Sequence, residues 1–470
     1  MIQPELKVTG YRGVWGESLN EDISISFATA FALFTKSDSG KKNPTILIGR
    51  DGRESGETIA NAIIPEIEKL GVNVIYGDIL PTPTIMLSVK EKGYDGAIII
   101  TASHNPIKYN GLKFVTKGAR MTNESEVEKI KSFLENKNGN IIPGSLAQDD
   151  GPSRSNFQQK IMGADGNNIS SELIKIHVNK ILENINVEAI RARKFKIAVD
   201  MINASACVID PYLFEKLEVE YVALNDTPNG KFAHEPEPIE QNLKDICALM
   251  KENKCDVGFA HDPDADRLVI IDENGDYISE EYTLGFGIEN VMSKNPNRNV
   301  VVNMSTSQMS ADITEKYGGT CYRTKVGEAN VFAGIDEHDA IIGGEGGSGC
   351  IYPTINNCRD GFVSMTLALE LLATRNSTVS EMVNILPKYF MKKDKWSVEG
   401  KNTLELYEKL KTHFSNGKFN TLDGLRIDFE DQSWIHLRPS NTEPIIRLMG
   451  EAKNPKRVEE LFIEAEKVIS

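Results

Sequence analysis

The segment Asp262-Pro-Asp-Ala-Asp-Arg267 sets three carboxylates at alternate positions, directly after the apolar run around Val257–Ala260. Three oxygen donors at that spacing can converge on one hard cation, which points to Mg²⁺ or Ca²⁺ and away from zinc. An EF-hand loop is the sharpest competitor, because Glu273 falls where its twelfth ligand would sit. The required mid-loop glycine is Arg267, however, and Leu268–Ile271 reads as a strand, so the EF-hand is set aside. A solvated acidic turn is the plain alternative. Without a cation, mutual repulsion of three such neighbours would be unfavourable.

Three further loops carry chemistry. Thr101-Ala-Ser-His-Asn-Pro106 follows the apolar run Ala97–Ile100 and offers an exposed Ser103–His104 pair as a nucleophile site. A plain Asn-Pro turn is its competitor. The G-x-S-x-G elbow is absent, and adjacent Ser and His need not face each other, so no triad is assumed. Gly343-Gly-Glu-Gly-Gly-Ser-Gly349 has five glycines in seven residues, which permits close backbone approach to a ligand. It lacks the G-x-x-x-x-G-K-[ST] pattern of a nucleotide loop. Glu345 within it can accept from sugar hydroxyls, and a flexible turn explains the glycines equally well. Arg438-Pro-Ser-Asn-Thr-Glu-Pro444 is dense in donors. A planar arginine fork and turn N–H groups suit phosphate. The competing reading is a capped turn with a surface arginine.

The elements between these loops alternate. Thr45–Gly49, a helical pattern over Ser55–Leu70 closed by Gly71, Val72–Tyr76, a helix near Thr84–Lys92 and Ala97–Ile100 give a βαβαβ rhythm. That rhythm predicts layered α/β with a largely parallel sheet. Ligands then gather after the strands' carboxyl ends. The pattern recurs from Lys196–Asp200 to Asp256–Ala260, and from Val300–Asn303 to Ala340–Gly343. Residues 143–170 are polar and read as a linker or surface excursion. Beyond about Lys392 the pattern becomes α+β, with strands at Gly424–Asp428 and Trp434–Leu437 and an amphipathic helix over Pro455–Ile469.

Composition bounds the rest. The 470 residues predict roughly three domains at about 150 residues each. A net charge of −15 argues against coating nucleic acid or docking on an anionic membrane. No apolar stretch approaches a spanning helix, and the start MIQPELKVTGYRG lacks a signal-peptide core. Six cysteines without a C-x-x-C pair read as mostly free core thiols in a reducing, cytoplasmic setting.

Taken in order, TASHNP, DPDADR and RPSNTEP resemble the α-D-phosphohexomutase superfamily: phosphomannomutases, phosphoglucomutases and phosphoglucosamine mutases. Tyr11-Arg-Gly13, Gly49-Arg-Asp51, Pro81-Thr-Pro83, Tyr109–Lys113 and Arg359-Asp-Gly361 support it. The resemblance spans essentially the whole chain. It implies three related, layered α/β domains with mixed sheets and a C-terminal α+β domain around a central cleft, divided as 1–155, 156–272, 273–388 and 389–470. It implies a phosphosugar mutase, an isomerase that exchanges hexose 1- and 6-phosphates.

By the same resemblance Ser103 is the phosphoserine, and Asp262, Asp264 and Asp266 hold Mg²⁺ together with it. Arg12, Lys113 and Arg267 lie near the reacting phosphoryl group, and Glu345 contacts the sugar. Arg438, Ser440, Asn441 and Thr442 hold the other phosphate, with Lys325, Gly327 and Arg447 also on the substrate. A hexose 1,6-bisphosphate is the implied activator, and the chain is a monomer or homodimer with no nucleic-acid or membrane partner. One departure stands out. The common sugar loop Gly-Glu-x-Ser-Gly-His is here Glu345 followed by Gly346-Gly347-Ser348-Gly349-Cys350. The histidine is missing, which leaves His104, Lys113 and Arg12 as candidates for proton transfer. The Gly-rich loop looks like the phosphoglucosamine-mutase-like branch, with phosphomannomutase/phosphoglucomutase as the alternative. A Mg-dependent sugar phosphatase and an inactive sugar-phosphate binder are the rival classes.

Overall fold

The strand Thr45–Arg50 is buried along nearly its whole length, and it lies in the interior of the first sheet. It pairs in parallel with Asn73–Ile79 and Gly96–Ile100. The computed structural model describes residues 5–134, 168–347, 349–397, 402–439 and 445–469. The chain divides into two units, Met1–Ser279 with Ile351–Val379, and Glu280–Cys350 with Ser380–Ser470.

The βαβαβ part of the first sheet is parallel as its rhythm predicts, and further strands make the sheet mixed. Tyr109–Thr116 runs antiparallel to Gly96–Ile100 and to Tyr11–Val14. The short link across Thr101–Lys108 is the reason, because a parallel return needs a crossover of a dozen or more residues. The period of two then sorts side chains. On Tyr109–Thr116, Phe114 enters the apolar cluster and stacks on Phe31 of the helix Glu21–Ser39, centroids 4.6 Å apart. Its neighbour Lys113 points to the other face. On Tyr11–Val14, Tyr11 stacks on Phe27 in the core and Arg12 faces away. Gly111 sits opposite Arg12, where a Cβ would lie 2.4 Å from the Tyr11 carbonyl.

The second sheet has the order Leu268–Ile271, Val257–His261, Lys196–Asp200, Glu220–Leu224. Val257–His261 and Leu268–Ile271 are antiparallel, with His261 opposite Leu268. The aspartate loop is therefore a hairpin connection between strands, as the rejection of an EF-hand required. The predicted linker at 143–170 lies mostly outside the described residues. Its last residues are helical instead, because Asn168 caps Ile169–Leu182 by accepting from the Ser171 N–H at 3.3 Å.

In the second unit, Asn299–Asn303 pairs in parallel with Cys321–Thr324 and Ala340–Glu345. A separate all-antiparallel sheet has the order Phe390–Ser397, Ile445–Ala452, Trp434–Pro439, Leu425–Asp428, Lys418–Asn420. Helices Thr403–His413 and Pro455–Ile469 contribute Leu406, Leu410, Leu461 and Phe462 to its core. The sequence shows two of these strands clearly. Phe390–Ser397 reads FMKKDKWS because it is an exposed edge, where charge guards against pairing with other chains.

The fold is thus mixed α/β, with three α/β sheets and a C-terminal α+β sheet among the described residues. No helix among them is long and apolar enough to cross a membrane. All six cysteines are free; Cys255, Cys350 and Cys358 are buried, while Cys207, Cys247 and Cys321 are partly exposed.

Candidate active site

Ser103 lies just past Ile100, at the carboxyl end of a central strand, with φ +51. A non-glycine residue holds that left-handed conformation only when its surroundings impose it. They do so through one carboxylate and one guanidinium. Asp51 Oδ2 accepts from the Thr101 hydroxyl at 2.6 Å, and Thr101 Oγ1 accepts from the Ser103 N–H at 2.8 Å. Arg53 is fully buried and donates from all three of its nitrogens. Nε donates to Asp51 Oδ2, Nη1 to the carbonyls of Pro106 and Tyr109, and Nη2 to those of Ser103 and Asn105, at 2.6–3.0 Å. Five contacts match the five N–H groups of a guanidinium. The exposed Ser–His pair of the sequence reading is corrected: Ser103 is 1% exposed, because these bonds draw the loop inward.

The Ser103 hydroxyl donates to Asp262 Oδ2 at 3.0 Å, and His104 Nδ1 lies 3.4 Å from Oγ. Asp262, Asp264 and Asp266 are buried, each with a carboxylate oxygen within 4.8 Å of the others'. Lys113 Nζ is 2.6 Å from Asp264 Oδ2 and 3.5 Å from Asp266 Oδ2. The Thr82 hydroxyl donates to Asp264 Oδ2 at 2.6 Å, and Arg359 Nη2 to Asp266 Oδ2 at 2.9 Å. The Arg267 N–H donates to Asp262 Oδ1 at 3.2 Å, while its Nε lies 3.9 Å from Asp266. Arg12 is held through Nη1, which donates to Asn105 Oδ1 at 2.9 Å.

After these bonds, Asp264 Oδ1 and Asp266 Oδ1 remain buried without a hydrogen-bond partner. Two open carboxylate oxygens beside Asp262 and Ser103 Oγ are a donor set that fits a hard cation. The electrostatics agree. Burial raises the Asp262 carboxyl well above its usual range, and Asp266 and Asp264 add to the rise. Burial also pushes Asp264 upward, but Lys113 and the Thr82 hydroxyl outweigh it and hold that carboxyl below its ordinary value. Lys113 loses from burial and gains more from Asp264 and Asp266, so its pKa is raised and it stays an ammonium. Burial, then Arg267 and Arg12, push His104 down to about 2, leaving a neutral ring.

The second unit holds a separate group. Glu345 ends Ala340–Glu345 and is nearly buried. Its Oε1 accepts from Asn303 Nδ2 at 2.9 Å and from the Gly327 N–H at 2.8 Å. Gly327 has φ +122, which favours glycine, and Lys325 beside it is exposed. Arg438 is the penultimate residue of Trp434–Pro439, and its Nε donates to Asp423 Oδ1 at 3.2 Å. Arg438 sits directly opposite Arg447, and Arg447 directly opposite Lys395. Like charges facing across strands are unfavourable unless an anion joins them. Ser440, Asn441 and Thr442 lie outside the described residues.

The sequence reading did not single out Arg53, Thr82, Arg359, Asp423 or Lys395 for a role. Arg53 and Thr82 stand in or beside the short motifs Gly49–Asp51 and Pro81–Pro83, and Arg359 opens Arg359–Gly361, so the signal was available. Asp423 and Lys395 carry none, since each acts through tertiary pairing.

A buried serine hydroxyl on a carboxylate group able to hold a metal, and a separate pair of facing arginines, fit the class of phosphoryl-transfer enzymes on a layered α/β scaffold. Comparison with known proteins places it within that class. The sequence matches phosphoglucomutase/phosphomannomutase alpha/beta/alpha domain I over residues 4–140, domain II over 175–275, domain III over 280–389 and the C-terminal domain over 395–467. It is 33% identical over 456 residues to a phosphoglucomutase/phosphomannomutase of Thermococcus kodakarensis, covering 96% of this chain and 95% of that one. It is 32% identical over 467 residues to a phosphoglucosamine/phosphogalactosamine mutase of Sulfurisphaera tokodaii, covering 98% of each. The crystal structure of a phosphoglucomutase/phosphomannomutase family protein from Burkholderia thailandensis superposes with a TM-score of 0.81 at 25% identity, over 99% of this chain and 98% of that one. The chain belongs to the phosphoglucomutase/phosphomannomutase family and is a mutase of the isomerase class.

Proposed function

We propose that the protein interconverts the 1- and 6-phosphates of a hexose through a phosphoserine at Ser103. The observation that carries this reading is the Ser103 hydroxyl on Asp262, 3.0 Å away, inside a carboxylate group with open oxygens. Phospho-Ser103 gives its phosphoryl group to the free hydroxyl of a bound hexose phosphate. The bond to Oγ breaks as the bond to the sugar oxygen forms, and the sugar hydroxyl's proton is exchanged with Oγ. His104, Lys113 and Arg12 are the candidates to mediate that exchange; His104 Nδ1 lies 3.4 Å from Oγ, and Lys113 holds its proton as an ammonium. The bisphosphate then presents its other phosphate, which returns to Ser103 and leaves the isomer.

Asp262, Asp264 and Asp266, with Ser103, would hold Mg²⁺, and a bound ion would supply positive charge to the transferring phosphoryl group. Arg12, Lys113 and Arg267 add positive charge there. Glu345 and Gly327 bind the sugar. Arg438, Arg447, Lys325, Ser440, Asn441 and Thr442 hold the phosphate that does not react. The domain division is 1–155, 156–272, 273–388 and 389–470. The protein works in the cytoplasm as a monomer or homodimer, activated by a hexose 1,6-bisphosphate.

Glucosamine phosphate is the first candidate sugar, supported by the Gly-rich loop after Glu345 and the 32% identical relative. The 33% identical relative favours mannose or glucose phosphate as the second reading. The test is a panel of glucosamine, glucose and mannose 1-phosphates with catalytic bisphosphate, alongside intact-mass analysis of the protein. Interconversion with one phosphate on Ser103 is expected. Steady release of free phosphate would indicate a phosphatase instead, and full activity of Ser103→Ala would overturn the mechanism.

A further inference from the structure

Arg438 and Glu345 lie on different strands of the second unit, yet a closed circuit of hydrogen bonds joins their supports. Asp423 Oδ1 accepts from Arg438 Nε at 3.2 Å, and Asp423 Oδ2 accepts from the Val326 N–H at 2.9 Å. The next residue, Gly327, donates its N–H to Glu345 Oε1 at 2.8 Å. The same oxygen accepts from Asn303 Nδ2, and Asn303 Oδ1 accepts from the Ser305 N–H at 2.8 Å. Ser305 Oγ lies 2.9 Å from His436 Nδ1, and His436 Nε2 meets the Asp423 carbonyl. A carbonyl only accepts, so Nε2 carries the proton and Nδ1 accepts from the Ser305 hydroxyl. Burial pushes His436 down to about 4, which keeps that neutral tautomer. The circuit closes on Asp423.

Its chemistry is economical for the task. The Asp423 carboxylate occupies Nε of Arg438 and leaves the two terminal nitrogens, the planar fork that grips phosphate, for a ligand. The same carboxylate's second oxygen sets the position of the backbone that reaches Glu345. One side chain thereby fixes the phosphate fork and the sugar-binding carboxylate in a common frame.

We propose that Asp423 is a positioning residue that sets the span between Arg438 and Glu345, and so decides how well a hexose with a distal phosphate fits. This rests on the roles given above to those two residues.

The test compares Asp423→Ala and Asp423→Asn with the wild type by calorimetric titration of glucose 6-phosphate and by turnover. Losing a charge-assisted bond that orients the fork weakens binding about tenfold in Asp423→Ala, and less in Asp423→Asn, which keeps one acceptor. KM rises in parallel while kcat and Ser103 phosphate occupancy stay near wild type, because the change spares the reacting centre. In an Arg438→Ala background, Asp423→Ala costs clearly less affinity than in the wild type, because only its hold on the backbone at Glu345 is left to lose, a non-additivity that a merely structural residue would not give. Unchanged affinity in both Asp423 variants, or full additivity with Arg438→Ala, overturns the proposal. If Asp423→Ala fails to fold, Asp423→Asn decides by the same criteria. Wild-type protein that binds glucose 6-phosphate without interconverting any sugar of the panel would sink the functional reading and leave the affinity test of Asp423 intact.

Discussion

Lys113 Nζ lies 2.6 Å from Asp264 Oδ2 in a site where both side chains are buried. Each therefore depends on the other. Asp264 has a lowered pKa, so its contribution is complete above the unfolded carboxyl value of about 3.9 and is lost as pH falls through the lower folded value. Lys113 has a raised pKa, so its contribution is complete below about 10.4 and is lost as pH rises through the higher folded value. In metal-free protein, Lys113→Met should cost about 3 kcal/mol at neutral pH by stranding a buried carboxylate. Denaturant unfolding as a function of pH checks this; a loss that does not shrink once Asp264 is protonated at low pH would contradict the pairing.

Replacing Asp266 by asparagine removes one of the two open carboxylate oxygens. Turnover should fall by about a hundredfold or more, and the Mg²⁺ needed for half-maximal rate should rise. A Mg²⁺ titration of the variant measures both. Wild-type turnover in chelator would count against the metal assignment.

Arg53→Lys removes a guanidinium that serves four carbonyls and one carboxylate, and an ammonium cannot reach them all. Unmet carbonyls cost about 1–3 kcal/mol each, so a loss of about 3 kcal/mol in stability is expected. Because the loop carries Ser103, turnover should fall with it. A variant with a wild-type melting curve would show that the loop holds itself.

The pair Arg438–Arg447 predicts opposite signs for stability and binding. Arg447→Ala should leave the free protein equal or more stable by about 0.5 kcal/mol, since it relieves a like-charge contact. It should also raise KM for the sugar phosphate about tenfold. Lys395→Ala should act in the same sense and more weakly. Melting curves and initial rates on the same preparations separate the two effects.

The aspartate hairpin and the four-part mixed α/β architecture were legible in the sequence because both are local. Alternation along one loop brings Asp262, Asp264 and Asp266 together, and apolar runs mark buried strands. The partners of that hairpin were harder to read. Lys113, Thr82 and Arg359 reach it from far along the chain, and spacing says nothing about such encounters. Tyr109–Thr116 was not read as a strand, and its antiparallel return follows from how short the link after Ile100 is. Arg53 stands beside the Gly49–Asp51 motif, but its role was not legible from that, because most of its partners are backbone carbonyls, which side-chain patterns do not mark. The strand Phe390–Ser397 was missed because an edge strand's charges resemble a loop's.

Gly346 packs directly over Glu281. A Cβ on Gly346 would lie 2.1 Å from Glu281 Oε1, and Glu281 is buried with Oε2 accepting from the Ser307 N–H at 2.9 Å. Any larger residue after Glu345 must first displace that carboxylate. A side chain in that place, as in the common Gly-Glu-x-Ser-Gly-His form, is accommodated only by swinging the end of Glu281 away from the Ser307 N–H. Any loop grafted here meets Glu281 first, and the carboxylate either yields its bond to Ser307 or is exchanged with the loop.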